Sequence, residues 1–217
     1  MNRNDIIVPL RLLGVGLLVC GLLYQGSLMA IGSVAFSNNA AGSPVYVGGQ
    51  EAPVGSQMIG QNFQCGNPED AVYFWSRPSS IDYNAMTSGS TNLAPNNPEL
   101  SERVRKDLRC ISQYETPDDS VPANLVAESG SAYDAHISLE AARYQVPRVA
   151  NQTGISEDRL HEMIGQATEE PWLGVWGHER VNVLELNIMV REELQQQQNA
   201  TDQNSDVDTQ STIKGDG

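Results

Sequence analysis

The chain of 217 residues carries 27 acidic against 13 basic side chains, a formal net charge of −14. That balance disfavours binding to nucleic acid or anionic lipid surfaces, because phosphates are held by clustered cations. Three cysteines and three histidines, with no CxxC and no His/Cys cluster, give no metal-ligand spacing.

From Leu12 to Phe36 the sequence LLGVGLLVCGLLYQGSLMAIGSVAF carries no charge. At about 1.5 Å per helical residue it reaches roughly 37 Å, enough to cross a hydrocarbon core of about 30 Å. The segment predicts one membrane span at 12–36. Arg3 and Arg11 precede it against Asp5 alone, and the first charge after it is Glu51, so residues 1–11 are expected in the cytoplasm and the remainder outside. Two other readings stand beside a retained span. One is a cleavable signal peptide cut near Ser33-Val34-Ala35. The other is acylation at Cys20, although Val19 is bulky where such a signal has a small residue. Counted at 100° per residue, Gly14, Gly21, Gln25 and Gly32 fall on one small and polar stripe. Such a stripe lets a partner helix approach closely in lipid, although membrane helices are rich in glycine for other reasons too.

Residues 1–36 carry a net +1, which leaves −15 on the rest. Residues 37–190 are long enough for one domain with a real core. Ser37 to Ser43 reads as a linker, and Pro44 to Ile59 as two short strands about Gly48-Gly49. Gln61 to Pro98 is turn-rich yet holds Phe63, Tyr73, Phe74, Trp75 and Tyr83, a pattern that pins an irregular loop onto a core. Asn97-Pro98-Glu99 opens a helix to about Ser112, with a cap, a proline at the first position and an early acid. A second linker spans 113–120. Helices are predicted at 138–150, kinked or ended by Pro147, and at 156–168, each opening on a capping serine. The apolar run Val181 to Val190 favours a helix by period. From Arg191 the chain turns to Gln, Asn, Asp, Thr and Ser, and the tail 191–217 is expected to be disordered. The fold class is therefore α+β: one N-terminal transmembrane helix, one mixed α/β extracytoplasmic domain and a disordered tail.

Chemical motifs are sparse. There is no G-x-x-x-x-G-K-[ST], and the two lysines are Lys106 and Lys214. Ser129, Ser131, Asp134 and His136 supply the residue types of a serine hydrolase, but they crowd together in sequence and G-x-S-x-G is missing; Ser-Gly-Ser is equally the composition of a turn. Cys65 and Cys110 are the two cysteines outside the span, where an oxidising compartment permits a disulfide; two free buried thiols are the other reading.

Several long stretches together resemble one family. They are GSQMIGQNF at 55–63, YFWSRPSSIDYNAMTSGSTNLAPNNPEL at 73–100, SGSAYDAHIS at 129–138, YQVPRVA at 144–150 and RVNVLELNI at 180–188. Their order and the single amino-terminal span resemble the KdpC family, the C subunit of the Kdp-type potassium-transporting ATPase. The resemblance covers nearly all of residues 6–190 and departs at Ala132, Tyr133 and Ala135, where the family usually has Gly, Leu and Pro.

The resemblance implies a non-catalytic partner in a bacterial inner-membrane pump for high-affinity potassium uptake. Its implied partners are a potassium-selecting channel-like subunit, a phosphorylated P-type ATPase subunit and a small membrane subunit; the chain itself has no D-K-T-G. The family is described as a catalytic chaperone that raises the ATPase subunit's affinity for ATP. Gln145 matches a residue proposed as a nucleotide contact. If the amino terminus is inside, Gln145 lies outside, and any influence on ATP passes through the membrane subunits. Gly14, Gly21, Gln25 and Gly32 in the span, with Arg77, Tyr83 and Asn92 on the aromatic loop, are the expected partner surface. A membrane-anchored scaffold of another complex, or an exported hydrolase, are the other function classes.

Overall fold

A computed structural model describes residues 3–115 and 120–213. The expected linker at 113–120 falls partly outside the described residues, as does Lys214. The chain divides into two compact units, residues 1–45 and 46–217.

In the first unit, helix α1 runs Arg3–Ala35 and is the one described helix long and apolar enough to cross a membrane. It starts earlier than the uncharged run, so residues read as a cytoplasmic leader belong to the same helix, with Pro9 inside it. Its middle, Leu17–Tyr24, widens into π-helical turns. There the hydrogen bonds run i to i+5 and each residue advances by less than 100°, which turns Gly14 relative to Gly32. An added Cβ at Gly14 or Gly21 would meet nothing within 4 Å. One further helical turn follows at Ser37–Ala40, within the expected linker.

The second unit combines helices with a small antiparallel sheet. Helix α2, Pro98–Tyr114, begins where Asn97 Oδ1 accepts the Glu99 amide at 2.9 Å. The predicted helix 138–150 is two helices, α3 (Leu139–Tyr144) and α4 (Val146–Thr153). The break falls at Gln145, because Pro147 offers no amide to continue the ladder. Ser138 caps α3 and Ser156 caps α5 (Glu157–Gln166), each accepting an amide three residues on.

Strands β1 (His136–Ile137), β2 (Thr168–Glu169) and β3 (Arg180–Asn182) form one sheet in the order β1-β3-β2. β3 pairs His136 with Asn182 on one side and Glu169 with Arg180 on the other. Helix α6 then spans Val183–Ile213. Its first turns bury Val183, Leu186 and Val190 against Phe74, Leu160, Met163, Ile164 and Val149. Where the sequence predicts disorder from residue 191, the structure continues this helix. Arg, Glu, Leu and Gln favour helix, and extending a helix already nucleated on a core is cheaper than starting one. The fold is a mixed helix and sheet unit with one amino-terminal apolar helix.

Candidate functional site

The resemblance motifs converge on one extended segment, Tyr73–Ser76, which has no strand beside it. Its backbone groups need partners once buried. Two buried side-chain amides supply them. Asn187 on α6 accepts the Phe74 amide at 2.8 Å and donates to the Phe74 carbonyl at 2.9 Å. Gln145 at the α3/α4 break does the same for Trp75, accepting its amide at 2.7 Å and donating to its carbonyl at 3.4 Å. The Gln145 amide also donates to the Ala141 carbonyl at 3.1 Å and accepts from Arg148 Nη2 at 2.8 Å. A primary amide has two donors and two acceptor sites, and all four are filled here. Gln145 is 0% exposed.

Arg148 extends this node. It donates to the Ala71 and Tyr73 carbonyls, stacks 3.7 Å above the Trp75 ring and pairs with Glu115 at 2.7 Å. Both side chains of that pair are 1% exposed. Burial pushes the Glu115 carboxyl up and the Arg148 guanidinium down, and their mutual attraction opposes both shifts. Each partner therefore depends on the other, and removing one strands a buried charge.

A second cluster sits at the sheet edge. His136 lies between two carboxylates, with Nδ1 3.3 Å from Asp134 and Nε2 3.0 Å from Glu169. Burial alone would lower its pKa, but the hydrogen bonds to Asp134 and Glu169 outweigh burial and raise it. Burial would raise Asp134, yet His136 and Arg77 hold its carboxyl below the usual range. Both ring nitrogens of His136 are thus committed to carboxylates. Ser129 and Ser131 instead accept the amides of Ala132 and Tyr133, as a turn does, so the residue types of a hydrolase are not assembled into a relay.

Arg77 spends its guanidinium on Asp134 at 3.1 Å and on the carbonyls of Ala127 and Glu128. Tyr83, 8% exposed, donates to the Arg77 carbonyl at 2.7 Å, and burial pushes its phenol up to about 12. These two side chains brace the loop from inside. Asn92 is exposed and donates to Ser90 at 2.8 Å. Gly60 is the closest approach in this region: a Cβ there would meet the Asp134 carbonyl and the Tyr83 ring, each at 2.6 Å. Ala132, which stands where the resemblance expects glycine, still adopts φ +64°. The left-handed turn is kept at a cost a glycine would avoid.

The structure joins Cys65 to Cys110, with Cα atoms 6.1 Å apart, and leaves Cys20 free and exposed on α1. Beside the disulfide, Lys106, Trp75, Asp107 and Leu125 line a cleft of about 350 Å³. It offers one amine and no glycine-rich amide cradle for phosphates. Among the described residues no three His, Cys, Asp or Glu groups converge to hold a metal. Sequence reasoning missed Asn187 and Arg148; a buried-run asparagine in LELN and an arginine just inside a helix carried the only signal.

Comparison with known proteins agrees with this assembly of motifs. Residues 6–192 match the family model described as KdpC: K+-transporting ATPase, c chain. A potassium-transporting ATPase KdpC subunit from Halobacterium salinarum is 74% identical over 216 residues, covering 100% of both chains. Subunits of the same description from Bacillus cereus and Bacillus mycoides are 39% and 40% identical, over 88% and 86% of this chain and 97% and 95% of theirs. The chain is a member of the KdpC family, a subunit of the potassium-transporting ATPase.

Proposed function

We propose that this chain is a non-catalytic accessory subunit of an ATP-driven potassium uptake pump and acts by binding its partner subunits. The observation that carries this reading is the commitment of its motif residues to internal contacts: Gln145, Asn187 and Arg148 hold the aromatic loop to the helices, Arg77 ties it to Asp134, and His136 bridges Asp134 and Glu169. A domain built this way presents a fixed surface, and among the described residues Ser129, Ser131 and His136 form no relay and no glycine-rich phosphate cradle is assembled. The partners are the channel-like subunit, the P-type ATPase subunit and the small membrane subunit. Helix α1 anchors the chain in the bilayer with Arg3 and Arg11 on the cytoplasmic side, and the second unit lies outside. Any rise in ATP affinity then travels as a coupling free energy between conformational states of the complex.

Protease added to intact spheroplasts is expected to digest the second unit while a tag at Met1 survives. In mild detergent the full chain is expected to bring down a multispan subunit and a P-type ATPase. Gly14→Leu or Gly21→Leu should weaken that association while the second unit stays folded. Protection of the second unit from protease would overturn the orientation, and elution of the chain alone would overturn the assembly.

A further inference from the structure

Residues 172–180 are nine consecutive exposed positions, and they include the apolar sequence WLGVW. Trp172, Leu173, Val175 and Trp176 are 68%, 70%, 72% and 62% exposed. Scattered exposed apolar residues are ordinary on a protein surface, whereas four large ones on a single turn are not. The segment is nonetheless ordered. Trp172 and Trp176 exchange backbone hydrogen bonds at 2.8 and 3.1 Å, and their rings lie 5.4 Å apart. Leu173 (φ +53°) and Gly174 (φ +69°) form the left-handed turn that a tight hairpin needs. The stem is strands β2 and β3, of which β3 carries the fully buried Val181 and Asn182. The tip is thus an apolar knob whose shape is set before anything binds it, which lowers the entropic cost of docking.

We infer that this hairpin is the plug by which the chain docks into an apolar, basic-rimmed socket on another subunit of the ATPase complex, a proposal that rests on the accessory-subunit reading. Tryptophan gives the largest buried area per immobilised side chain and is the residue most enriched among residues that dominate interfaces. The rim selects a protein rather than a bilayer. Glu170 and Glu179 flank the tip, while Glu169 beside them is already spent on Arg180 at 2.7 Å and on His136 at 3.0 Å. Sinking the tip into the headgroup layer would carry these carboxylates to a surface that is neutral or anionic. A socket edged by Lys or Arg would instead be drawn to them.

The experiment uses the full chain, tagged and co-expressed with the other pump subunits, as wild type and as Trp172→Ser/Trp176→Ser. The wild type is expected to co-purify with its partners, and the double variant to retain on the order of a tenth as much or less, with an unchanged melting temperature. Glu170→Lys/Glu179→Lys is expected to weaken the same association through the rim alone. Equal recovery with the double variant would overturn the plug, whereas failure of the wild type to co-purify would overturn the accessory-subunit reading beneath it. Strong quenching of tryptophan emission by brominated lipid, in vesicles holding the chain, would assign the knob to the bilayer. A dimer of the isolated chain in detergent, lost in the double variant, would assign it to a second copy. Either result contradicts the proposal.

Discussion

Replacing Gln145 with alanine separates a structural node from a nucleotide contact. The substitution strips the acceptor from the Trp75 amide and from one arm of Arg148, and the donor from the Trp75 and Ala141 carbonyls. A buried polar group left unpaired costs about 1–3 kcal/mol. The two stranded donors alone therefore cost about 2–6 kcal/mol, before any void left by the lost side chain is counted. Against a whole stability of about 5–15 kcal/mol, the variant should be severely weakened. The assay is urea unfolding of the full chain in detergent in a Trp172→Phe/Trp176→Phe background, so that the emission followed is that of Trp75, which sits beneath Arg148. Gln145→Glu offers a check, since its carboxylate keeps the acceptor while losing both donors, and should fall between the two. A Gln145→Ala midpoint within about 0.5 kcal/mol of wild type, combined with a changed ATP dependence of the pump, would refute the reasoning, because surface positions behave that way.

Three further outcomes follow from the same geometry. Gly60→Ala should destabilise by about 1–3 kcal/mol through the close approach to Asp134 and Tyr83, whereas Gly165→Ala, inside α5 with nothing within 4 Å, should stabilise by about 0.5–1 kcal/mol; chemical denaturation that ranks the two in reverse contradicts the packing. Opening the Cys65–Cys110 bond releases a loop of 45 residues and should cost about 4 kcal/mol in the chain-entropy model, so thermal melts that do not respond to reductant would count against it. The raised pKa of His136 means that its stabilising contribution is complete below about 6.5 and is lost as pH rises through the folded-state value. Asp134 and Glu169, held below the usual range, contribute above about 4 and lose that contribution as pH falls. Stability should therefore peak in mildly acidic solution, and His136→Gln should flatten the alkaline limb of a plot of urea midpoint against pH; a variant curve parallel to wild type would exclude the carboxylate pairs as its cause.

The helix starts were legible because capping is local: Asn97, Ser138 and Ser156 each accept an amide two or three residues on, and nothing distant is required. The aromatic loop was legible too, since Phe74 and Trp75 have no stable place in a polar segment except against a core. The sheet was not. Its strands are two or three residues long, too short for a period of two to register, and β3 hides at the front of an apolar run that reads as helix. The surroundings of Arg77 and Tyr83 were hidden for a related reason. Their pairing with Asp134 and the close approach of Gly60 join segments distant in sequence, and only the fold shows them. The exposed WLGVW tip escaped notice because an apolar string reads as core until its neighbours are known. Gln145 could be matched to a family motif, but only the fold shows that all of its hydrogen-bonding capacity is spent.

Under the proposed function the chain influences the pump without touching the nucleotide. Photolabelling of the purified complex with an azido-ATP analogue, followed by peptide mapping of each subunit, tests it directly. The account predicts label on the ATPase subunit alone, with the ATP concentration needed for half-maximal labelling rising when this chain is omitted. Saturable label on a peptide of this chain that contains Gln145 would contradict it.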